Sequence, residues 1–196
     1  MFYCYPNSFT DEVLEVMASD PRFCRYLDMP FQHISDPVLK KMNRKITRKE
    51  IEATMSRVRS QLPDVAWRTT FIVGFPTETD QDFEELVDFV SEGHFQHLGI
   101  FLYSDEDNIR SSKFGDPIPL SLKEERKNRL MEIQQKISRE HHQKMVGSLQ
   151  QVLVGGFSSE TDLLLEGRNQ YQGPDCLLYT SPSPRDLSTS RMPSSA

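Results

Sequence analysis

The sequence contains no close pair of cysteines and no long apolar run. Its three cysteines, Cys4, Cys24 and Cys176, are far apart and odd in number, which argues against a disulfide framework and against a structural zinc or iron-sulfur site. The longest apolar run, residues 71–75, is far shorter than the roughly 20 residues of a membrane-spanning helix. The N-terminus also lacks the regions of a signal peptide. We therefore expect a globular, cytoplasmic protein with no metal ligands and no membrane partner.

Several common catalytic and binding motifs are also missing. The chain has no Ser-His-Asp arrangement, no Walker loop and no Rossmann glycine fingerprint. Its five histidines are scattered, so no convergent metal triad can be built from them. The net charge of −6 disfavours broad affinity for nucleic acid. A local basic cluster, which is most simply a solvated helix face, consists of Lys40, Lys41, Arg44, Lys45, Arg48 and Lys49.

The chain does contain a repeated order of strand and helix. Apolar runs rich in Val, Ile, Phe and Tyr alternate with segments whose apolar residues recur at helical spacing. This order predicts an α/β fold with parallel strands, in either a doubly wound sheet or a barrel. Four units are too few to close a barrel and the chain opens inside an apolar run, so we expect further sequence upstream. The predicted strands are residues 2–5, 26–31, 65–75 and 97–103.

Capping signals predict where the helices begin. A capping box of Ser121 and Glu124 predicts a long helix that runs to about Val146. The other predicted N-caps are Thr10, Ser35, Thr47 and Thr79.

The last part of the sequence changes character twice. Two short apolar stretches, residues 149–154 and 162–166, are separated by Gly155 and Gly156 and predict the start of a small β-rich module. Residues 176–196 are rich in Ser, Pro and Arg without periodicity, so we expect disorder there. This tail also resembles translated adaptor sequence, and we expect the genuine chain to end near residue 175.

Polar or permissive residues follow three of the predicted strands at their carboxyl ends, where parallel α/β folds bind ligands. Gln32 and His33 end the second strand, Gly74 the third and Tyr103 the fourth. Gly74 allows the backbone to approach a ligand, and the Tyr103 ring could cover an adenine. Each also has a structural interpretation: the polar pair could cap the next helix, the glycine could serve a turn, and the tyrosine could pack under the loop.

Three segments, in this order and spacing, resemble the methylthiotransferases of the radical S-adenosylmethionine superfamily. They are Tyr-Leu-Asp-Met-Pro-Phe-Gln-His-Ile-Ser-Asp at 26–36, Arg-Thr-Thr-Phe-Ile-Val-Gly-Phe-Pro-Thr-Glu-Thr at 68–79 and Phe-Leu-Tyr-Ser at 101–104. Gln32 and His33 favour the RimO type, which modifies an aspartate of a small-subunit ribosomal protein. The tRNA-modifying MiaB type usually has Gln-Ser-Gly-Ser at that place.

The resemblance implies a partial TIM-like (β/α) barrel of the radical SAM type over residues 1–120 and a linking helix over 121–146. A truncated TRAM-like β module over 147–175 and the disordered tail would follow. It also implies that S-adenosylmethionine binds across the strand ends, while a 4Fe-4S cluster supplies the electron for radical insertion of a methylthio group. The implied partners are the ribosomal protein and, through the TRAM-like part, RNA. The implied cofactor-binding residues are Gln32, His33, Arg68, Thr70, Gly74 and Tyr103.

The cysteines are where this chain departs from the family. The family holds one cluster with a Cys-x-x-x-Cys-x-x-Cys run and a second with three N-terminal cysteines, and this sequence has neither set. We therefore expect the chain alone to be inactive. The alternatives are a fragment of a tRNA methylthiotransferase, a noncatalytic module that docks on ribosomal protein or RNA, and a metal-dependent hydrolase on a barrel scaffold.

Overall fold

Three parallel strands and the helices between them form the first part of the fold, seen in a computed structural model that describes residues 1–105, 112–158 and 161–173. None of the helices in those ranges is long and apolar enough to cross a bilayer. The helices are α1 Asp11–Ser19, α2 Asp36–Lys41, α3 Arg48–Gln61, α4 Asp80–Ser91 and α5 Leu120–Met145. The strands are β1 Tyr26–Asp28, β2 Ala66–Val73, β3 His97–Leu102, β4 Val152–Ser158 and β5 Thr161–Asn169.

The first sheet has the order β1-β2-β3, with both neighbouring pairs parallel. The chain passes from β1 to β2 through α2 and α3, and from β2 to β3 through α4. Parallel strands need such long crossovers, because the carboxyl end of one strand and the amino end of the next lie at opposite ends of the sheet. The predicted α/β class, with a partial parallel sheet, is therefore confirmed.

The predicted first strand, residues 2–5, is an irregular extended segment. Asp28 donates its backbone N–H to the Met1 carbonyl (2.9 Å) and accepts from the Cys4 N–H (2.9 Å). Tyr3, between those two residues, has φ of 56°, in the left-handed region that breaks a regular strand. The prediction of a strand there was wrong, although the segment does run along β1.

The second predicted strand is also shorter than expected. β1 ends at Asp28, and only an isolated bridge between Gln32 and Phe71 continues the pairing. Pro30 lies between the two, and it has no N–H to donate to a sheet. The strand end that carries Gln32 and His33 is therefore a separate piece of extended backbone.

The helix starts mostly follow the capping signals. Thr47 and Thr79 form capping boxes, with Glu50 and Asp82 as the respective partners. Ser35 occupies its N-cap position but makes no capping hydrogen bond, and the same is true of Thr10. Local sequence thus predicts the positions more reliably than the bonds.

The predicted capping box at Ser121 was wrong. Helix α5 begins at Leu120, with Pro119 as its N-cap and no side-chain cap. The Pro119 carbonyl accepts from the N–H groups of Leu122 (3.0 Å) and Lys123 (3.1 Å), which starts the helix one residue before Ser121.

An aromatic core fixes β2 against the helices. Trp67 and Phe71 are fully buried. They are four residues apart in β2, so both side chains point to the same face, which the helices cover. Phe31 lies 6.1 Å from the Trp67 ring, and Phe95 lies 5.9 Å from the Phe71 ring. This packing determines which face of β2 remains for a ligand.

The chain ends, in its described part, with the antiparallel pair β4-β5. Gly155 and Gly156, which separate the two predicted apolar stretches, lie inside β4, next to a shift of register between Val154 and Gly156. Glycine accommodates such irregularities within a strand. Leu153 and Phe157 of this pair are largely exposed. The tail predicted to be disordered, residues 176–196, lies outside the described residues.

Candidate functional site

The face of the first sheet opposite the aromatic core carries polar side chains. Asp28, Arg68 and His97 are partners in register across the three strands, and residues that are paired in this way point to the same face. Thr70 lies on that face two residues after Arg68. The sheet therefore presents a row of polar groups that leads toward the carboxyl ends of its strands.

A buried ion pair organises that row. The Arg68 Nη1 donates to Asp28 Oδ1 at 3.1 Å, and the Thr70 Oγ1 lies 3.5 Å from the same nitrogen. Asp28 is fully buried, and its Oδ2 has no hydrogen-bond partner among the described residues. A buried carboxylate oxygen without a donor is costly, so it is a candidate acceptor for a ligand.

Gln32 adopts a strained backbone at the end of the sheet. Its φ is 74°, a conformation that costs a residue other than glycine about 1–3 kcal/mol. Such a conformation persists only where the surrounding structure holds it. Two hydrogen bonds do so, from Gln32 N–H to the Thr70 carbonyl and from Ile72 N–H to the Gln32 carbonyl, both 2.8 Å. Such strain at a strand end is typical of ligand sites.

His33 is buried and neutral. Its Nδ1 accepts the Ser35 N–H at 3.0 Å, which leaves the proton of the neutral ring on Nε2. Burial lowers the pKa of His33 to about 4. The Nε2 lies 3.8 Å from Glu78 Oε2, so this contact is not an ion pair at neutral pH.

Glu78 links the turn after β2 to helix α5. Its Oε2 accepts the N–H groups of Gly74 (2.7 Å) and Phe75 (3.3 Å), and its Oε1 accepts from Arg126 Nη1 at 2.8 Å. The Glu78 side chain is completely buried, and burial raises its pKa despite the cation. The carboxylate thus ties two backbone amides to a helix 48 residues later in the chain.

A neighbouring carboxylate ties the first and second strand ends together. Asp82 accepts from the Ser35 hydroxyl and from the Thr79 N–H and hydroxyl. Burial alone would raise its pKa, but these hydrogen bonds outweigh burial and lower it. The loop that contains His33 is thereby attached to the start of α4.

Lys123 contacts the other side of the same turn. Its Nζ donates to the Tyr103 carbonyl at 2.8 Å and pairs with Asp116, and it lies 5.4 Å from the centre of the Tyr103 ring. The Tyr103 ring packs edge-on against Phe75 with centroids 5.2 Å apart. The Tyr103 hydroxyl is buried and has no hydrogen-bond partner among the described residues.

The structure thus places the six predicted site residues in two groups. Arg68 and Thr70 lie on the face of the sheet opposite the aromatic core, and both are buried there. The others are at the strand ends, where α4 and α5 hold them: Gln32, His33, Gly74 and Tyr103.

Sequence reasoning missed Lys123, Arg126 and the role of Glu78. Lys123 and Arg126 are almost fully buried, and they share a helical face with the buried residues Leu130 and Gln134. Cations at that spacing on the apolar face of α5 were the available signal.

The described residues provide no site for an iron-sulfur cluster. Cys4 is buried with its pKa raised by burial, whereas Cys24 is exposed. No group of three or more His, Cys, Asp or Glu side chains in the described ranges could hold a metal ion. Cluster ligation needs several convergent thiolates, so these residues do not fit such a group.

Comparison with known proteins gives the same classification as the fold. Residues 2–90 match the radical SAM superfamily model. Curated relatives are 41–48% identical over 175 residues, which is 89% of this chain. Over residues 2–90 the chain is similar to the radical SAM superfamily.

Two radical SAM relatives illustrate the match. The proteins of Desulfotalea psychrophila (46% identical) and Bdellovibrio bacteriovorus (48% identical) each align with 89% of this chain. Both are named ribosomal protein uS12 methylthiotransferase RimO. The aligned part is only 40% and 38% of those proteins, so the chain spans about two fifths of their length.

A solved radical SAM structure supports the fold alone. The coproporphyrinogen III oxidase HemN of Escherichia coli superimposes with a TM-score of 0.56 at 18% identity, covering 69% of this chain and 31% of that one. The family model and the curated relatives confirm the predicted resemblance to the radical SAM methylthiotransferases, and the solved structure confirms the fold.

Proposed function

We propose that this chain is part of a radical SAM methylthiotransferase that inserts a methylthio group into an aspartate of ribosomal protein uS12. The observation that carries this proposal is the 41–48% identity over 89% of the chain to proteins of that name. The parent enzyme would use S-adenosylmethionine and 4Fe-4S clusters in the cytoplasm. The exposed pair β4-β5 would begin a TRAM-like module that contacts RNA or the ribosomal substrate.

The polar groups of the site are of the chemical types that would bind the polar groups of S-adenosylmethionine. That ligand carries an ammonium, a carboxylate and ribose hydroxyls, and it supplies the carbon radical when an electron cleaves it. Among the described residues, Asp28 Oδ2 and Tyr103 Oη have no hydrogen-bond partner, and Arg68 brings positive charge to the face that carries Asp28. In this proposal, Arg68 and Thr70 bind the ligand from the polar face of the sheet.

The strand ends would orient the ligand within this proposal. The backbone at Gly74 would approach the ligand, and the Tyr103 ring would pack against it. The Gln32 side chain would offer a polar group held in place by the strained backbone. His33 is fully buried and neutral, so its part is to hold the loop through the Ser35 N–H.

We expect the chain to bind S-adenosylhomocysteine, a redox-inert analogue, and Thr70→Val to weaken that binding about 5-fold. The substitution keeps the shape and removes one hydroxyl from the polar face of the sheet, and a lost hydrogen bond costs about 1 kcal/mol. Isothermal titration calorimetry measures the affinity.

The matched control is the adjacent Thr69→Val, on the opposite face of β2. Thr69 Oγ1 donates to the Met29 carbonyl at 2.9 Å and accepts the Phe31 N–H at 3.3 Å. Thr69→Val should lower the melting temperature and leave the affinity within 2-fold or so. Equal affinities of Thr70→Val and the unaltered chain would remove Thr70 from the site, and failure of the unaltered chain to bind would contradict the proposed ligand.

Anaerobic reconstitution with iron and sulfide should give no stoichiometric 4Fe-4S absorption band. The reason is that Cys4 and Cys24 cannot converge with a third ligand among the described residues. A chain with Cys4→Ala and Cys24→Ala is the control for loosely bound iron. A band in the unaltered chain that disappears in this control would show that the chain does hold a cluster.

A further inference from the structure

The turn after β2 is held from two sides by buried charged side chains. Lys123 approaches it from α5, and Glu78 reaches back to it from the end of the same loop, two residues before α4. Both are almost fully buried, with Lys123 2% and Glu78 5% exposed. Charged side chains are rarely buried to this degree unless a specific partner requires it.

The stem of Lys123 defines the space beside Gly74. Gly74 has φ of 75°, and a Cβ added there would overlap the Lys123 Cγ and lie 2.7 Å from its Cδ. The backbone of the turn therefore rests directly on the lysine methylenes. The ammonium at the end of the same stem fixes the Tyr103 carbonyl, so one side chain sets the ends of β2 and β3 relative to each other.

Glu78 fixes the amides of the same turn. One of its oxygens accepts the N–H groups of both Gly74 and Phe75, which orients those two peptide planes. The other oxygen is taken by Arg126, so the carboxylate cannot rotate away from the turn without breaking an ion pair. The turn is thus determined by side chains and not only by its own sequence.

We propose that Lys123 and Glu78 are positioning residues for the ligand site at the strand ends. They hold the Gly74 backbone and Tyr103 in the arrangement that binds the adenosyl ligand, without touching it themselves. This inference rests on the proposed function for the identity of the ligand. The arrangement of the turn itself can be tested without any ligand.

Two substitutions test the proposal by calorimetric titration with S-adenosylhomocysteine. Lys123→Met keeps a stem beside Gly74 and removes the donor to Tyr103, while Glu78→Gln keeps the shape and leaves too few acceptor oxygens for its three donors. We expect each to weaken binding about 10-fold or more while the chain still melts cooperatively. Wild-type affinity in both variants would overturn the proposal.

The controls make the same chemical changes at exposed positions of α5 and α4. Lys136→Met alters an exposed lysine of α5, and Glu84→Gln breaks an exposed ion pair between α4 and Arg129 of α5. Neither should change the affinity by more than about 2-fold, because exposed pairs contribute little. An equal loss of binding in the controls would overturn the proposal, since general loosening of α5 would then explain it.

A second measurement separates this proposal from the proposed function. Backbone amide exchange of Gly74 and Phe75 in the ligand-free chain should be at least 10-fold faster in Glu78→Gln, whereas amides in the middle of α3 stay unchanged. If the unaltered chain does not bind the analogue, the proposed ligand is wrong and the exchange rates alone decide the positioning role. Unchanged exchange at both amides would overturn it.

Discussion

Replacing Arg126 with methionine is expected to lower the free energy of unfolding by about 3–5 kcal/mol. Arg126 Nη1 is the only cation bonded to the completely buried Glu78 carboxylate in the described structure, at 2.8 Å. Removing the cation while leaving the anion in place forces Glu78 either to remain charged without a partner or to take up a proton. Urea denaturation at pH 7 measures the loss.

The matched control is Arg129→Met, one turn further along α5. Arg129 pairs with Glu84 with both side chains about half exposed, so its removal should cost less than about 1 kcal/mol. The double variant Arg126→Met with Glu78→Gln should recover about half of the loss, because the buried charge is gone. The idea fails if Arg126→Met and Arg129→Met are equally stable.

The pH dependence gives a further check on the same explanation. The pKa of Glu78 is already raised by burial, and losing Arg126 should raise it further. A carboxyl with a raised pKa in the folded state contributes more stability as the pH falls. The cost of Arg126→Met should therefore shrink between pH 7 and pH 5.

Local sequence predicted the elements whose signals lie within a few residues. The apolar spacing of α3 and its capping box of Thr47 and Glu50 are both present, because a helix start depends on three or four neighbouring residues. The predicted start of α5 was wrong by one residue, because Pro119 is the N-cap and the helix begins before Ser121. The prediction of a strand over residues 2–5 was wrong because the local sequence does not indicate the left-handed backbone conformation of Tyr3.

The part of the site that could not be predicted is the part assembled from distant segments. Glu78 and Arg126 are 48 residues apart, and each is of a charged residue type that usually lies on the surface. Their burial follows from the way α5 crosses the ends of β2 and β3, which no local pattern encodes. Gly74 and Tyr103 therefore lie at strand ends, as the sequence predicts. Of the side chains that hold them, Glu78 belongs to the recognised segment 68–79, whereas Lys123 lies outside the recognised motifs.

The unaltered chain is expected to lose about 3 kcal/mol more stability than His33→Asn between pH 7 and pH 4. His33 has a pKa of about 4 in the folded state, against an ordinary value of 6.5. The unfolded chain therefore binds a proton at this residue in that interval while the folded chain does not. Its contribution is fully present above pH 6.5 and is lost as the pH falls toward 4.

The His33→Asn variant isolates this effect because the asparagine Oδ1 can accept the Ser35 N–H in place of Nδ1 and does not titrate. Glu78, Asp82 and Arg126 are the charged groups around the ring, and they stay in both chains. Since the raised pKa of Glu78 has the opposite sign, Glu78→Gln should steepen the loss at low pH. Denaturation curves at each pH give the two stability profiles. Parallel profiles for the unaltered chain and His33→Asn would mean that the folded chain protonates His33 as readily as the unfolded chain does, and the lowered pKa of this buried ring would be wrong.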